Sequence, residues 1–491
     1  MTDARPGRRA ARRRSCASQK CDNLMEALEP RRLLNADLPF TYYYPEGYVH
    51  DGISEFVPIT NTGDTEVRYE LHARYEVGER DQLLAEGVIA PGTRGGVTIN
   101  RAGSPSERLA RPDTPYALVL RTSGPVGATM SHYDFGTAVG ESFTEQTSIE
   151  WTFPGSLKDP ARTRDFLVFY NPTDERVAVA VVVYTDDGQQ IPMFTTLDPQ
   201  RRGGWNINDE ARIPNGVYAL QVVASRPIVA ALSHYELDAG RGFGAVGVPD
   251  GGGTAGFLGG VEFDAGNRGL ADSVAPAGSV ISILNTGQTE DAAVTLTFIP
   301  NSAQGDAGVF ERTLTVPVRG RATLSVGEVG LPQGVEYGVI YRSSTPVSVS
   351  LIVNEGADGT GMSAVNAAAT EWNFGEGFMS PPRAGAAVTE DLYLFNPGAR
   401  ETEATVEFFF SDGSRFRVTR TLASQELENV NIHDIPEVAQ RGADAFYGIR
   451  VRADLPIVAT FEHWDNDLGG GFSTPGSARG EVVPITTVPL A

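Results

Sequence analysis

Short apolar stretches, each closed by a turn, recur at an even pace along this chain. In the last quarter, residues 391–395, 405–410, 415–422, 428–432, 446–451 and 457–464 either alternate apolar with polar residues or run apolar. That is the period of two expected of strands with one face buried. Asn-Pro-Gly, Ser-Asp-Gly and Ala-Asp-Leu-Pro turns separate them, and Asp187-Gly188 and Asp412-Gly413 mark hairpins in which glycine takes a positive φ. The one helical hint is a single turn over 435–440. Six or seven short strands in about 110 residues predict a β-sandwich or a squat barrel.

The pattern repeats. Pro58-Ile-Thr-Asn61-Thr-Gly63, Phe169-Tyr-Asn171-Pro-Thr173, Ile283-Leu-Asn285-Thr-Gly287 and Leu394-Phe-Asn396-Pro-Gly398 each close an apolar run with Asn and a turn pair, at Asn spacings of 110, 114 and 111 residues. This Asn reads as an Asx turn ending a strand. A tyrosine stands nine residues before a proline in every copy: Tyr116/Pro125, Tyr218/Pro227, Tyr337/Pro346 and Tyr447/Pro456. Constant spacing here predicts a hairpin of fixed register. The tyrosine reads as a fold residue, its ring between sheets and its hydroxyl tied to backbone near a sandwich corner.

The expected fold is therefore all-β: four tandem antiparallel β-sandwich modules behind a disordered basic leader. The leader is 1–37 and the modules 38–145, 146–258, 259–368 and 369–491. Gly-rich passages over 238–260, 356–369 and 468–480 read either as flexible linkers or as arms folded over a neighbour. Phe243, Met362 and Phe472 interrupt them and point to partial order. Gly251-Gly252-Gly253 lacks the strand-then-helix setting of a phosphate loop and reads as a linker.

Composition agrees. A chain of 491 residues is too long for one core. Of the net charge of −22, residues 1–36 contribute +5, from nine basic and four acidic residues, leaving −27 on the remainder. A body this acidic repels phosphate backbones, so nucleic acid is not an expected partner. Both cysteines, Cys16 and Cys21, lie in the leader, so disulfide and thiol chemistry are not expected of the body. Two thiols are too few for a zinc site. No metal or cofactor is expected. There is no apolar run of about 18 residues to span a membrane, and the leader lacks the apolar segment of a secretory signal.

Seven residues beyond each repeated proline stand His132, His234, Val353 and His463. The trios His132-Tyr133-Asp134, His234-Tyr235-Glu236 and His463-Trp464-Asp465 suggest a ligand edge, with imidazole and carboxylate as hydrogen-bonding groups and the ring as a stacking face for sugar. The plainer reading is a structural strand end with the histidine satisfied by a backbone carbonyl. Successive strand residues face opposite ways, so histidine and its aromatic neighbour do not share a pocket without a bulge. The same geometry argues against a nucleophilic triad of Ser131, His132 and Asp134. The acidic turns at Asp186-Asp187-Gly188 and Asp412-Gly413 offer too few oxygens for calcium.

Two stretches resemble known families. Met25-Glu-Ala-Leu28-Glu29-Pro30-Arg31-Arg32-Leu33-Leu34-Asn35-Ala36 closely resembles the LEPR-XLL motif near the N-terminus of large exported or surface proteins of planctomycete bacteria. That resemblance implies an exported or surface-associated protein. The repeats resemble the sensory-rhodopsin-transducer family of small β-sandwich proteins, through Ile283-Leu-Asn285, the alternating strand over 291–298, Trp205-Asn-Ile-Asn-Asp209 and Pro227-Ile-Val229. It implies an oligomerising antiparallel sandwich with a binding role. The functional expectation is a non-enzymatic exported or cell-surface protein whose modules serve adhesion, spacing or protein interaction. The alternative is carbohydrate binding through the His-aromatic-acid edge; the partner is then a surface glycan rather than a protein.

Overall fold

The computed structural model describes residues 38–485 apart from 51, 77, 79, 101–108, 238–239, 263–278, 305–306, 356–357, 380–387, 442–444 and 466–470. The leader, with Cys16, Cys21 and the LEPR-type motif, lies outside the described residues. Four tandem antiparallel sandwiches follow one another. In the first, Phe40–Tyr44, Tyr116–Thr122, Val67–Tyr75 and Gln82–Ile89 form one sheet in that order. Thr93–Thr98, Ser54–Asn61, Gly127–Asp134 and Thr137–Ser142 form the other. Apolar side chains of the two inner faces meet between them, as period-two strands require. Among the described residues the one α-helical turn is Pro436–Ala439, where a single turn was expected. Gly188 and Gly413 adopt φ of 81° and 82° in the two Asp-Gly hairpins.

The Tyr–Pro segment departs from expectation. It is not a hairpin. In the last three copies it is one unbroken strand, Gly216–Glu236, Glu336–Glu355 and Ala445–Asp465. Residues 447–453 pair with Thr402–Phe410 in one sheet, and residues 458–465 pair with Val388–Phe395 in the other. The chain turns a corner between sheets instead of reversing, as strands do at the edge of closely packed sandwiches. Pro456 falls between the two ladders, where its missing N–H costs no hydrogen bond. The fixed spacing of nine measures the distance across that corner.

The repeated asparagines do more than turn the chain. Gly63, Thr173, Gly287 and Gly398 each donate their backbone N–H to the side-chain oxygen of Asn61, Asn171, Asn285 and Asn396, as in an Asx turn. The amide nitrogen then donates across the sandwich edge; Asn396 Nδ2 reaches Arg400 O at 2.8 Å, Leu422 O at 3.1 Å and Ala423 O at 2.8 Å. All four are fully buried, so each is a staple whose donors and acceptor are satisfied.

The described parts of the Gly-rich passages are arms rather than linkers. Arg241–Val246, Asp358–Ser363 and Phe472–Pro475 each fold back on their own long strand, as Thr137–Ser142 does in the first copy. These four inner strands pack on one another in a closed circle: first on second, second on third, third on fourth and fourth on first. Glycine permits the approach: a Cβ on Gly361 would stand 2.6 Å from the Phe243 ring of the preceding copy. Gly251 and Gly252, at φ of 73° and 91°, form a tight turn into the next strand instead of a linker.

Around this hub, the strand that opens each copy lies on the next copy. Phe40–Tyr44 packs on Gly216–Glu236, Ser148–Lys158 on Val280–Asn285, Gly253–Glu262 on Val388–Phe395, and Ala367–Met379 on Ser54–Asn61 and Gly127–Asp134 of the first copy. The expected divisions at 258/259 and 368/369 fall inside two of these strands. The fourth copy grips the first as the others grip their successors. Thr62 Oγ1 donates to Asn373 Oδ1 at 2.8 Å, Ser142 N donates to Thr474 Oγ1 at 3.0 Å, and Arg479 pairs with Glu145. Phe257 stacks on Phe395 at 4.7 Å between copies three and four. Buried apolar residues of copies one and two form one continuous core, and those of three and four another. No helix among the described residues is long and apolar enough to cross a membrane.

Candidate functional site

The long strand brings its histidine opposite a carboxylate on the strand ending in the repeated asparagine: His132 faces Glu55, His234 faces Asp165 and His463 faces Glu390. Each Nδ1 meets a carboxylate oxygen, at 2.6, 2.6 and 2.8 Å respectively. The other oxygen of each carboxylate accepts the hydroxyl of the repeated tyrosine, Tyr116, Tyr218 and Tyr447. Tyrosine, acid and histidine thus form one buried unit built three times. The expected partners, a backbone carbonyl for histidine and backbone for the tyrosine hydroxyl, are both replaced by this shared carboxylate.

Further groups complete each unit. Tyr48 N donates to Glu55 at 2.7 Å, Phe378 N to Glu390 at 2.7 Å, and Ser156 Oγ to Asp165 at 2.6 Å. On the far side of the ring, Asp134 stands 3.9 Å from His132 Nε2 and Glu236 3.8 Å from His234 Nε2. Histidine and the acid two residues on share a strand face, as period two dictates. Burial alone would lower the imidazole pKa, yet Asp134 and Glu55 hold His132 up at about 10, and Asp165 and Glu236 do the same for His234. Burial raises the Glu390 carboxyl, opposed by the bond and charge of His463. In His132 and His234 a carboxylate faces each ring nitrogen and favours the protonated imidazole, which has no lone pair to accept a proton.

The trios expected to form a ligand edge are separated by this arrangement. His132, His234 and His463 are only 3, 5 and 3% exposed. Tyr235 is buried with its ring 6.3 Å from His132 of the preceding copy and 5.1 Å from Phe135, and Trp464 is also buried. Glu236 is buried too, while Tyr133 and Asp134 are half-buried; the Asp465 side chain lies outside the described residues. In copies two and four the aromatic ring therefore packs inside the protein and offers no open face to a sugar. Phe243 and Phe472 stack on His234 and His463 at 5.1 and 5.2 Å, so the inner strands roof these units.

The third copy lacks the unit. Val353 replaces the histidine, and Ser279 stands where the acid would be, its carbonyl accepting Val326 N–H as Glu55 O accepts Ile99 N–H. Tyr337 remains fully buried, with a hydroxyl that meets no partner among the described residues. The acid was missed in the sequence although it was periodic there: Glu55, Asp165, Ser279 and Glu390 each precede the repeated asparagine by six residues. Acid and histidine are present together or absent together. Among the described residues no three His, Cys, Asp or Glu side chains gather to hold a metal ion.

No family model matches the chain, and no curated protein does. Among solved structures, Thermotoga maritima 1070 is 14% identical, covering 21% of this chain and 95% of its own at a TM-score of 0.20. A tetra-tandem repeat from the extending region of a large adhesion protein is 11% identical, covering 86% of this chain and 93% of its own at a TM-score of 0.11.

Proposed function

We propose that this is a non-enzymatic exported or cell-surface protein whose four sandwiches act as one adhesion or protein-interaction body. The observation that carries the reading is the fate of its titratable side chains. The three tyrosine–acid–histidine units, the most chemically suggestive groups in the repeats, are spent inside the modules, where the histidine joins the acid across neighbouring strands and the tyrosine hydroxyl reaches that acid from the other sheet. Closure of the four copies into a circle favours a compact interaction platform over an extended spacer, because the last copy returns to the first. The resemblance of residues 25–36 to an export-type motif supports a surface location.

Cell fractionation with and without residues 1–36, alongside binding of the purified body to glycan and protein arrays, tests this. Surface location that depends on the leader, an unchanged melting temperature on its removal, and protein capture by the body are expected. Cytoplasmic retention of the full chain, or turnover of a substrate panel, would overturn it.

A further inference from the structure

At one pole of the hub the four copies leave a cavity of about 330 Å³. Equivalent segments of all four copies line it: Ser142 to Thr144, Val246 to Val248, Ser363 to Val365, and Pro475 to Ser477. Trp151 and Trp372, from the opening strands of the second and fourth copies, also line it, and each indole N–H is already taken by a backbone carbonyl, Ile228 O and Ile457 O at 2.9 Å. The two rings therefore contribute π surface and no free donor.

One feature breaks the pseudo-fourfold equivalence. Glu141 stands where the other copies carry Ala245, Met362 and Thr474, and its side chain is 95% buried at the cavity wall. Among the described residues its carboxyl makes one hydrogen bond, from Val246 N–H. Among the described residues no cation acts on it: Arg241 of the adjacent inner strand lies at that strand's far end, four residues from Ala245. The titratable groups near it are Tyr44, from the opening strand of its own copy, and the Glu145–Arg479 pair at the rim, whose charges already answer each other. A buried carboxylate without a countercharge is costly, and a ligand that carries the countercharge removes that cost.

We propose that this axial cavity binds a small organic monocation, its charged head against Glu141 and its apolar body between the indoles and the Val246, Val248 and Val365 side chains. Cation–π attraction to Trp151 or Trp372 adds to the ion pair. The acidic body, which carries −27 of charge beyond the leader, draws cations to the mouth. Burial pushes the empty-state Glu141 carboxyl up to about 8, opposed by the Val246 N–H bond. A cation selects the ionised form, so binding expels a proton and strengthens as pH rises.

Phenyltrimethylammonium, charged at every pH, and its uncharged isostere tert-butylbenzene are the probes, titrated into the full chain and followed by tryptophan fluorescence and calorimetry. Affinity for the cation is expected to rise about tenfold per pH unit between 6 and 8 and then level off, while the neutral probe binds weakly and without pH dependence. Glu141→Gln keeps an oxygen for Val246 N–H; it should lose at least about tenfold in cation affinity at pH 8.5 and abolish the pH dependence. Glu46→Gln alters another buried carboxyl, one that burial pushes up to about 7, and should leave both unchanged. Equal binding of the two probes, affinity that falls as pH rises, pH dependence surviving in Glu141→Gln with a native melting curve, or no binding of the cation at millimolar concentration would each overturn the proposal.

Discussion

Copies three and four are built on one plan and bury a common core, yet one carries the tyrosine–acid–histidine unit and the other does not. Tyr337 and Tyr447 occupy the same corner, each fully buried. Tyr447 bonds to Glu390, which pairs with His463; the equivalent positions of the third copy hold Ser279 and Val353. The fold therefore needs the ring and not the charges. It also tolerates the charges only as a pair, since a buried carboxylate or imidazolium left alone would cost several kcal/mol.

The largest effect should come from removing what both copies share. Tyr447→Ala deletes a buried ring and strips a hydroxyl donor from Glu390, and should lower the unfolding free energy of the full chain by about 5 kcal/mol in chemical denaturation. His463→Ala should cost about 3–5 kcal/mol, because Glu390 then stays buried without its cation. That is close to the tyrosine effect, where a histidine satisfied by a carbonyl would have cost far less. A cost under about 1 kcal/mol would mean that the pair is not ionised.

Transplanting the third copy's solution sharpens the contrast. The double change Glu390→Ser with His463→Val should sit within about 2 kcal/mol of the parent and well above either single change, a coupling that a double-mutant cycle reads directly. Tyr447→Phe should cost about 1.5–3 kcal/mol, the scale of a hydrogen bond to a charged group. Tyr337→Phe should be neutral or slightly stabilising, since its hydroxyl meets no partner among the described residues. Equal costs at the two sites would end the comparison.

The smallest expected effect is on pH. The folded-state pKa of His132 and His234, about 10, lies above the unfolded value near 6.5. Their contribution is therefore complete below about pH 6.5 and lost as pH climbs through 10. Melting temperature should fall over that window. The fall should shrink when Glu55→Ser and His132→Val are combined with Asp165→Ser and His234→Val, which leave the first two copies as uncharged here as the third.

Much of this was legible in the amino-acid order. Alternating residues such as Val177–Thr185 announce strands, and the spaced Asn, Tyr and Pro announce four copies, because period two and tight turns are local properties. The carboxylates were hidden for the same reason. Glu55 and Glu390 sit in alternating stretches where a polar residue reads as facing water, and only the opposite strand, some 75 residues on, turns them inward as partners. The circle was harder still. It rests on Gly140, Gly242, Gly361 and Gly471, residues whose role is to leave room, and the absence of a side chain has no periodicity that distinguishes a packed arm from a linker.

A circle of four has one more junction than a string of four, and that changes how the body comes apart. If any one junction parts, both copies beside it are still held by their other neighbours, and the parted faces remain at high effective concentration. Reclosure then outpaces escape. Releasing a copy takes two partings at once, so the lifetime of the assembly scales with the product of two rare events. A backbone cut between copies would likewise leave the pieces in place. Persistence of this kind comes from topology, with no added strength at any single contact.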